Sequence, residues 1–146
     1  MADTFLVGID GSAGARRALR FAGERAQASG AKLVLAFVFE WSHYDFLTPE
    51  ELETRHRDRQ EEIERSQREI VEPALAEVKA SAPGVEAEGT VRHGHAAEAL
   101  SILAEEVGAA QIFIGRRGTT KLSNLLFGSV ASNLVQISPV SVTVVP

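Results

Sequence analysis

Apolar residues in this chain follow two alternating spacings, and the alternation predicts its elements. Phe5 to Ile9 is a short apolar run closed by Asp10-Gly11-Ser12, the pattern of a buried strand and a turn. Ala15, Ala18, Leu19, Ala22 and Ala26 then recur at helical intervals as far as Gly30, a residue suited to stopping a helix. Lys32 to Phe39 is almost continuously apolar, as a strand buried on both faces must be, and parallel sheets supply such strands. Strand, helix and strand at these lengths make a βαβ unit, whose crossover is right-handed.

Residues 40 to 50 carry Trp41, His43, Tyr44, Phe46 and Pro49 and predict a loop partly packed on the domain. Glu50 to Lys79 is rich in helix formers, yet Leu52 to Glu62 lacks an apolar stripe, which returns at Ile63, Ile70, Ala74 and Val78. The first half of this segment is therefore expected to face solvent, and Pro73 to kink the helix or begin another. Val85 to Val91 predicts a partly exposed, peripheral strand. Behind Gly94, Ala97, Leu100, Ile102, Leu103 and Val107 predict a helix, and Gln111 to Ile114 a short strand. A glycine-framed loop then leads to a helix around Ser129 to Gln136, and Val140 to Val145 reads as a final β-branched strand. This β-α-β-α-β-α-β-α-β order, with loops at the carboxyl ends of strands, defines a doubly wound sheet that takes ligands where strand order reverses. Alternation sets the class; it does not set the strand order.

Composition narrows the possibilities. A length of 146 residues suits one domain, here residues 1–146, with a sizeable core. Fifteen basic and twenty acidic residues give a formal charge of -5, which argues against a dedicated nucleic-acid surface. With no cysteine there are neither disulfides nor thiolate chemistry, which fits a reducing, cytoplasmic setting. Met1-Ala2-Asp3-Thr4 has no basic region before its apolar run and reads as the approach to the first strand, not a signal peptide. No apolar run approaches the roughly 20 residues that span a bilayer, so no membrane insertion is expected.

The candidate chemistry sits at two strand ends. Gly115-Arg116-Arg117-Gly118 is followed, after nine residues, by Gly128-Ser129. Gly115 and Gly118 let backbone amides approach an anion, and arginine pairs with phosphate through two parallel hydrogen bonds. Gly128-Ser129-Val130 precedes a helix whose free amides and dipole favour phosphate, with the Ser129 hydroxyl as a further donor. No Gly-x-x-x-x-Gly-Lys-Ser/Thr occurs, which excludes the usual P-loop. The bland alternative is a glycine turn, two solvated arginines and a serine cap. Asp10, at the end of the first strand, either accepts hydrogen bonds from an adenine amino group or ribose hydroxyls, or builds an Asx turn with Gly11 and Ser12. Between the glycine elements, Leu122, Leu125, Leu126 and Phe127 suggest a short helical turn tucked under the loop, with Thr119-Thr120 at its crest. His93 and His95 flank Gly94; as a metal pair they lack a third ligand, and His95 is expected to start a helix near the cleft. No Ser-His-Asp constellation is legible, and Glu61, Glu62 and Glu64 read as a solvated helix face.

Together these elements resemble the ATP-binding class of the universal stress protein family, over essentially the whole chain. The residues that carry the resemblance are Val7-Gly8-Ile9-Asp10-Gly11-Ser12, Leu35-Ala36-Phe37-Val38, Val91 to Gly94, and above all Gly115-x-x-Gly118 with Gly128-Ser129 nine residues on. The resemblance implies a three-layer α/β/α sandwich, Rossmann-like and of the adenine nucleotide alpha hydrolase-like kind, with a five-stranded parallel sheet of order 3-2-1-4-5. It also implies ATP in the cleft, accompanied by magnesium or manganese, and a homodimer through the last strand, Val140-Val145. The nucleotide-binding set it suggests comprises Asp10, Gly11, Ser12, Val38, Gly115, Arg116, Gly118, Gly128, Ser129 and Val130. Asp10 would contact adenosine, Val38 would line the adenine pocket, and the glycines and Ser129 would surround ribose and phosphates. Arg116 occupies a variable motif position, so its phosphate role rests on its charge alone. Two departures from the family pattern are Ala110, where aspartate is frequent, and Ser141, where proline is.

The expected function is therefore an adenine-nucleotide-dependent stress or regulatory protein, acting through conformation, dimer contacts or a regulatory protein partner. No general base is aimed at water. Slow ATPase or nucleotide-transfer chemistry on the same scaffold is the second reading, and a dimeric interaction protein indifferent to nucleotide the third.

Overall fold

Five parallel strands, numbered along the chain, lie in the order third, second, first, fourth, fifth, the arrangement the resemblance implies. The computed structural model describes residues 2–40, 48–118 and 128–146, so the expected loop at 41–47 and the turn over 119–127 lie outside the described residues. The elements are β1 (Thr4–Gly8), α1 (Ala13–Ser29), β2 (Lys32–Phe39), α2 (Pro49–Ser66), a π-helical turn (Gln67–Val71), α3 (Glu72–Ser81), β3 (Ala87–His93), α4 (Ala96–Glu106), β4 (Gln111–Gly115), α5 (Ser129–Ile137) and β5 (Ser141–Val145).

Register and burial explain the three layers. Side chains alternate across a strand, so paired residues in register share a face. Phe5 pairs with Leu33, and Val7 with Leu35 and Phe113; these five pack with Leu19, Ala22 and Ala26 of α1 and Val78 of α3. Leu6 pairs with Val34 and Ile112 and faces the other way, onto Leu100 and Leu103 of α4 and Leu134 of α5. Helices α1 and α3 thus cover one face, and α4 and α5 the other. Each fully buried leucine, isoleucine or phenylalanine in these layers contributes about 1.5–3 kcal/mol relative to exposure. β3 is at one edge, as its mixed sequence predicts, and β5 is at the other, half-exposed along its length.

Local signals set the helix ends. Ser12 caps α1 by accepting from the Ala15 amide at 3.2 Å, and Gly30 ends it in the left-handed region at φ 78°. α2 opens on a reciprocal capping box, with Glu51 donating its amide to Thr48 Oγ1 and the Thr48 amide pairing with Glu51 Oε2. Its first half is exposed, as its missing apolar stripe requires, with Leu52 left 53% accessible. Of the two expectations for Pro73, the start of another helix is the one realised: it stands in the first turn of α3, with no break in the chain's helical path. The wider π turn before it carries the chain into α3, with the Glu72 amide bonding back to the Gln67 carbonyl. One extra residue in the turn relieves the crowding that proline imposes on the turn preceding it. Gly89 of β3 faces this turn so closely that a Cβ there would stand 2.2 Å from Val71 Cγ1. Among the described residues, no helix is long and apolar enough to cross a membrane.

Candidate functional site

At the carboxyl ends of β1 and β4 the connections diverge, since β1 leads to β2 on one side and β4 to β5 on the other. Open parallel sheets take ligands at this point. Here it holds a cleft of about 380 Å³, within the roughly 300–1,000 Å³ range of small-molecule sites.

The structure brings most of the sequence-predicted residues together in this cleft. Asp10, Val38, Gly115, Arg116, Gly118, Gly128, Ser129 and Val130 all line it. Gly11 and Ser12 do not. They lie over a smaller depression between α1 and α3, where Gly11 has φ 80° and Ser12 serves as the α1 cap. The Asx turn is realised as well: the Ser12 amide donates to Asp10 Oδ1 at 2.9 Å. The other carboxylate oxygen of Asp10 faces Gly118, and a Cβ at Gly118 would come within 2.6 Å of it. One aspartate therefore holds the turn with one oxygen and borders the glycine loop with the other.

The two glycine elements meet directly. The Gly128 amide donates to the Arg116 carbonyl at 2.8 Å, so the chain returns to the strand end that it left at Gly118. The Arg116 amide in turn donates to the Val145 carbonyl at 2.8 Å, continuing the β4–β5 ladder by one bond. That amide is committed to the sheet, which leaves the exposed Arg116 side chain as this residue's means of reaching an anion. Gly115 serves packing: a Cβ there would be 2.7 Å from the Gly14 carbonyl carbon, and one at Gly14 would be 2.6 Å from the Arg117 carbonyl oxygen. The start of α1 and the end of β4 touch backbone to backbone.

The helix termini differ in a way that matters chemically. The first amides of any helix lack intrahelical partners and carry partial positive charge. In α1 the Ser12 hydroxyl answers one of them. In α5 the N-cap is Gly128, no side chain caps the helix, and Gly128, Ser129, Val130 and Ala131 all border the cleft. The helices that bring uncapped starts to the cleft are α4 and α5, and of the two α5 contributes four consecutive lining residues.

Other walls carried no sequence signal for this role. Ala96 and Leu100 of α4 and Glu40 after β2 also line the cleft. Small or apolar residues on a helix read as core, and only the strand order shows that α4 closes this side. His95 is the N-cap of α4, without a side-chain cap bond, and lies in an adjoining groove. Among the described residues, no group of three or more histidine, aspartate or glutamate side chains is placed to hold a metal ion.

Fold and cleft together define a Rossmann-like open α/β protein with an anion-suited site at its switch point. The chain belongs to the universal stress protein family, whose model matches residues 1–146. A universal stress protein solved in complex with cAMP is 27% identical, with 99% of this chain and 97% of that one covered and a TM-score of 0.68. UspA from Lactobacillus plantarum is 24% identical over 99% and 97% of the two chains, with a TM-score of 0.71. The universal stress protein from Archaeoglobus fulgidus in complex with dAMP is 21% identical over 100% and 98%, with a TM-score of 0.64. The last two likenesses are of fold. No curated protein matches the chain.

Proposed function

We propose that this protein is an ATP-binding regulatory protein that signals nucleotide occupancy through its dimer contacts. The carrying observation is the uncapped start of α5, which lines the switch-point cleft together with the Asp10 carboxylate. Phosphates belong at α5, with the amides and hydroxyl of Ser129 and Val130 as donors and the Arg116 side chain adding charge. The adenosine belongs between Asp10 and the half-buried Val38, where apolar walls and one carboxylate suit a base and a ribose. That the 27% identical relative was solved in complex with cAMP supports an adenine nucleotide as the ligand. A magnesium or manganese ion would take its ligands chiefly from phosphate oxygens and water, since the described side chains offer no preformed set.

The output follows from the bond between Arg116 and Val145. Arg116 stands in the cleft wall, and its amide holds the last residue of the edge strand β5. An edge strand presents unpaired backbone groups, and a second copy pairing there in two-fold fashion removes them. Nucleotide bound against Arg116 thereby acts on the dimer edge. Titration of the purified, folded protein with ATP, AMP and cAMP, followed by calorimetry and by sedimentation with and without ligand, tests both parts. Saturable ATP binding with a shift in self-association is expected. A folded protein that binds no adenine nucleotide would overturn the reading.

A further inference from the structure

We infer that Arg17 is a positioning residue: it carries nucleotide occupancy of the cleft to the carboxyl end of β5 without touching the nucleotide. The inference rests on the nucleotide reading above and names the side chain through which the strand end responds.

Long side chains on a helix lean back toward its N-terminus, over the residue three or four positions earlier. For Arg17 that residue is Gly14, buried at the start of α1. A Cβ at Gly14 would stand 2.6 Å from the Arg117 carbonyl oxygen and 3.8 Å from Arg17 Nη2. The bare glycine thus admits the end of β4 against the α1 backbone and leaves the guanidinium a seat beside them. From this seat Arg17 Nε donates to the Pro146 carbonyl at 3.0 Å.

That bond lies where the sheet stops holding the strand. The Arg116 amide donates to the Val145 carbonyl, whereas the Arg116 carbonyl turns to the Gly128 amide. β5 is also an edge strand, with β4 as its sole neighbour among the described residues. Arg17 supplies the next fastening, from the helix layer, and its footing is the cleft wall. Arg116, Arg117 and Gly118 line the cleft, as does Ala15 in the first turn of α1; Arg17 does not. Asp10 Oδ1 accepts the Ser12 amide immediately before that helix. The two states are a strand end bonded to Arg17 and one frayed from it, and local fraying is the least costly opening of an edge. A nucleotide that engages Asp10 and Arg116 fixes both the helix start and the loop beside the guanidinium, and so favours the bonded state.

Hydrogen exchange on the intact protein, with and without saturating ATP, tests this at both edges of one sheet. ATP should slow exchange across Val140–Val145 about fivefold more than across Ala87–His93, the scale of one hydrogen bond. Comparison with the opposite edge removes the general stabilisation that any bound ligand confers. In Arg17→Ala the excess should fall to about twofold or less, with ATP affinity by calorimetry unchanged, because Arg17 lies outside the cleft. Arg17→Lys, which keeps a cationic donor, should restore about half of the lost excess on a logarithmic scale. Equal slowing at the two edges of the wild type overturns the inference. So does an excess that survives Arg17→Ala, a loss that Arg17→Lys leaves in place, or a loss of ATP affinity in Arg17→Ala. Each of these outcomes leaves the nucleotide site intact. Absence of ATP binding by the wild-type protein instead removes the nucleotide reading on which the inference stands.

Discussion

The Asp10 carboxylate and the Gly118 backbone stand so close that a Cβ added to Gly118 would lie 2.6 Å from Asp10 Oδ2. Any side chain at 118 must displace either the loop or the aspartate. Gly118 is itself exposed, so the strain falls on the cleft and not on the core. Gly118→Val is therefore expected to weaken ATP binding at least about tenfold, a loss of roughly 1.4 kcal/mol, with the far-ultraviolet circular dichroism unchanged. Wild-type affinity in this variant, measured by calorimetry, would detach the loop from the site.

Ser12 offers the opposite outcome. Its hydroxyl accepts the Ala15 amide, and the residue lies outside the cleft. Ser12→Ala should cost about 1 kcal/mol of stability through the lost cap and leave nucleotide affinity within error. Denaturant unfolding and a binding titration on one preparation separate the two effects. A selective loss of affinity would return Ser12 to the ligand.

Gly14 and Gly115 hold α1 against β4 by backbone contact. Alanine at 115 meets carbonyl atoms and not a flexible side chain, so the helix must move. Gly115→Ala should destabilise by about 1–3 kcal/mol, the usual scale of overpacking. Because the end of β4 also bounds the cleft, ATP affinity should fall with stability. Thermal unfolding with and without ATP reads both; an unchanged melting temperature would contradict the contact.

The pair Gly89 and Val71 permits a compensation experiment. A Cβ at Gly89 would sit 2.2 Å from Val71 Cγ1, and Val71 is fully buried. Gly89→Ala alone should destabilise by about 1–3 kcal/mol. In a Val71→Ala background, where the obstructing methyl groups are absent, the same change should cost less, with a coupling of about 0.5–3 kcal/mol between the two sites. Strict additivity in a double-mutant cycle would show that the π turn does not rest on Gly89.

Strands and helices were legible because burial writes its period into sequence. Lys32 to Phe39 read as a strand buried on both faces and Gln111 to Ile114 as a short strand, and the helix that Gly30 ends matched its alanine spacing. Strand order was legible only through resemblance, because βα alternation is compatible with several orders. Asp10-Gly11-Ser12 shows the limit at the site. The same three residues suit an Asx turn and a ligand contact, and the structure draws Asp10 into the cleft while turning Ser12 to the helix it caps. Ala96 and Leu100 were invisible as site residues because a cleft wall built from a core helix has no composition of its own. The π turn was hidden too: its extra residue alters hydrogen bonding, which hydrophobic spacing does not record.

That extra residue fixes the azimuth of a large solvent-facing arm. Each residue of an α-helix advances the chain by about 100° around its axis. Deleting one position within Gln67–Val71 would turn all of α2 by roughly that angle relative to the sheet and present a different set of its charged residues outward. Sequence change along α2 can therefore alter the display one residue at a time, whereas a single-residue length change at the π turn would re-aim the whole of it.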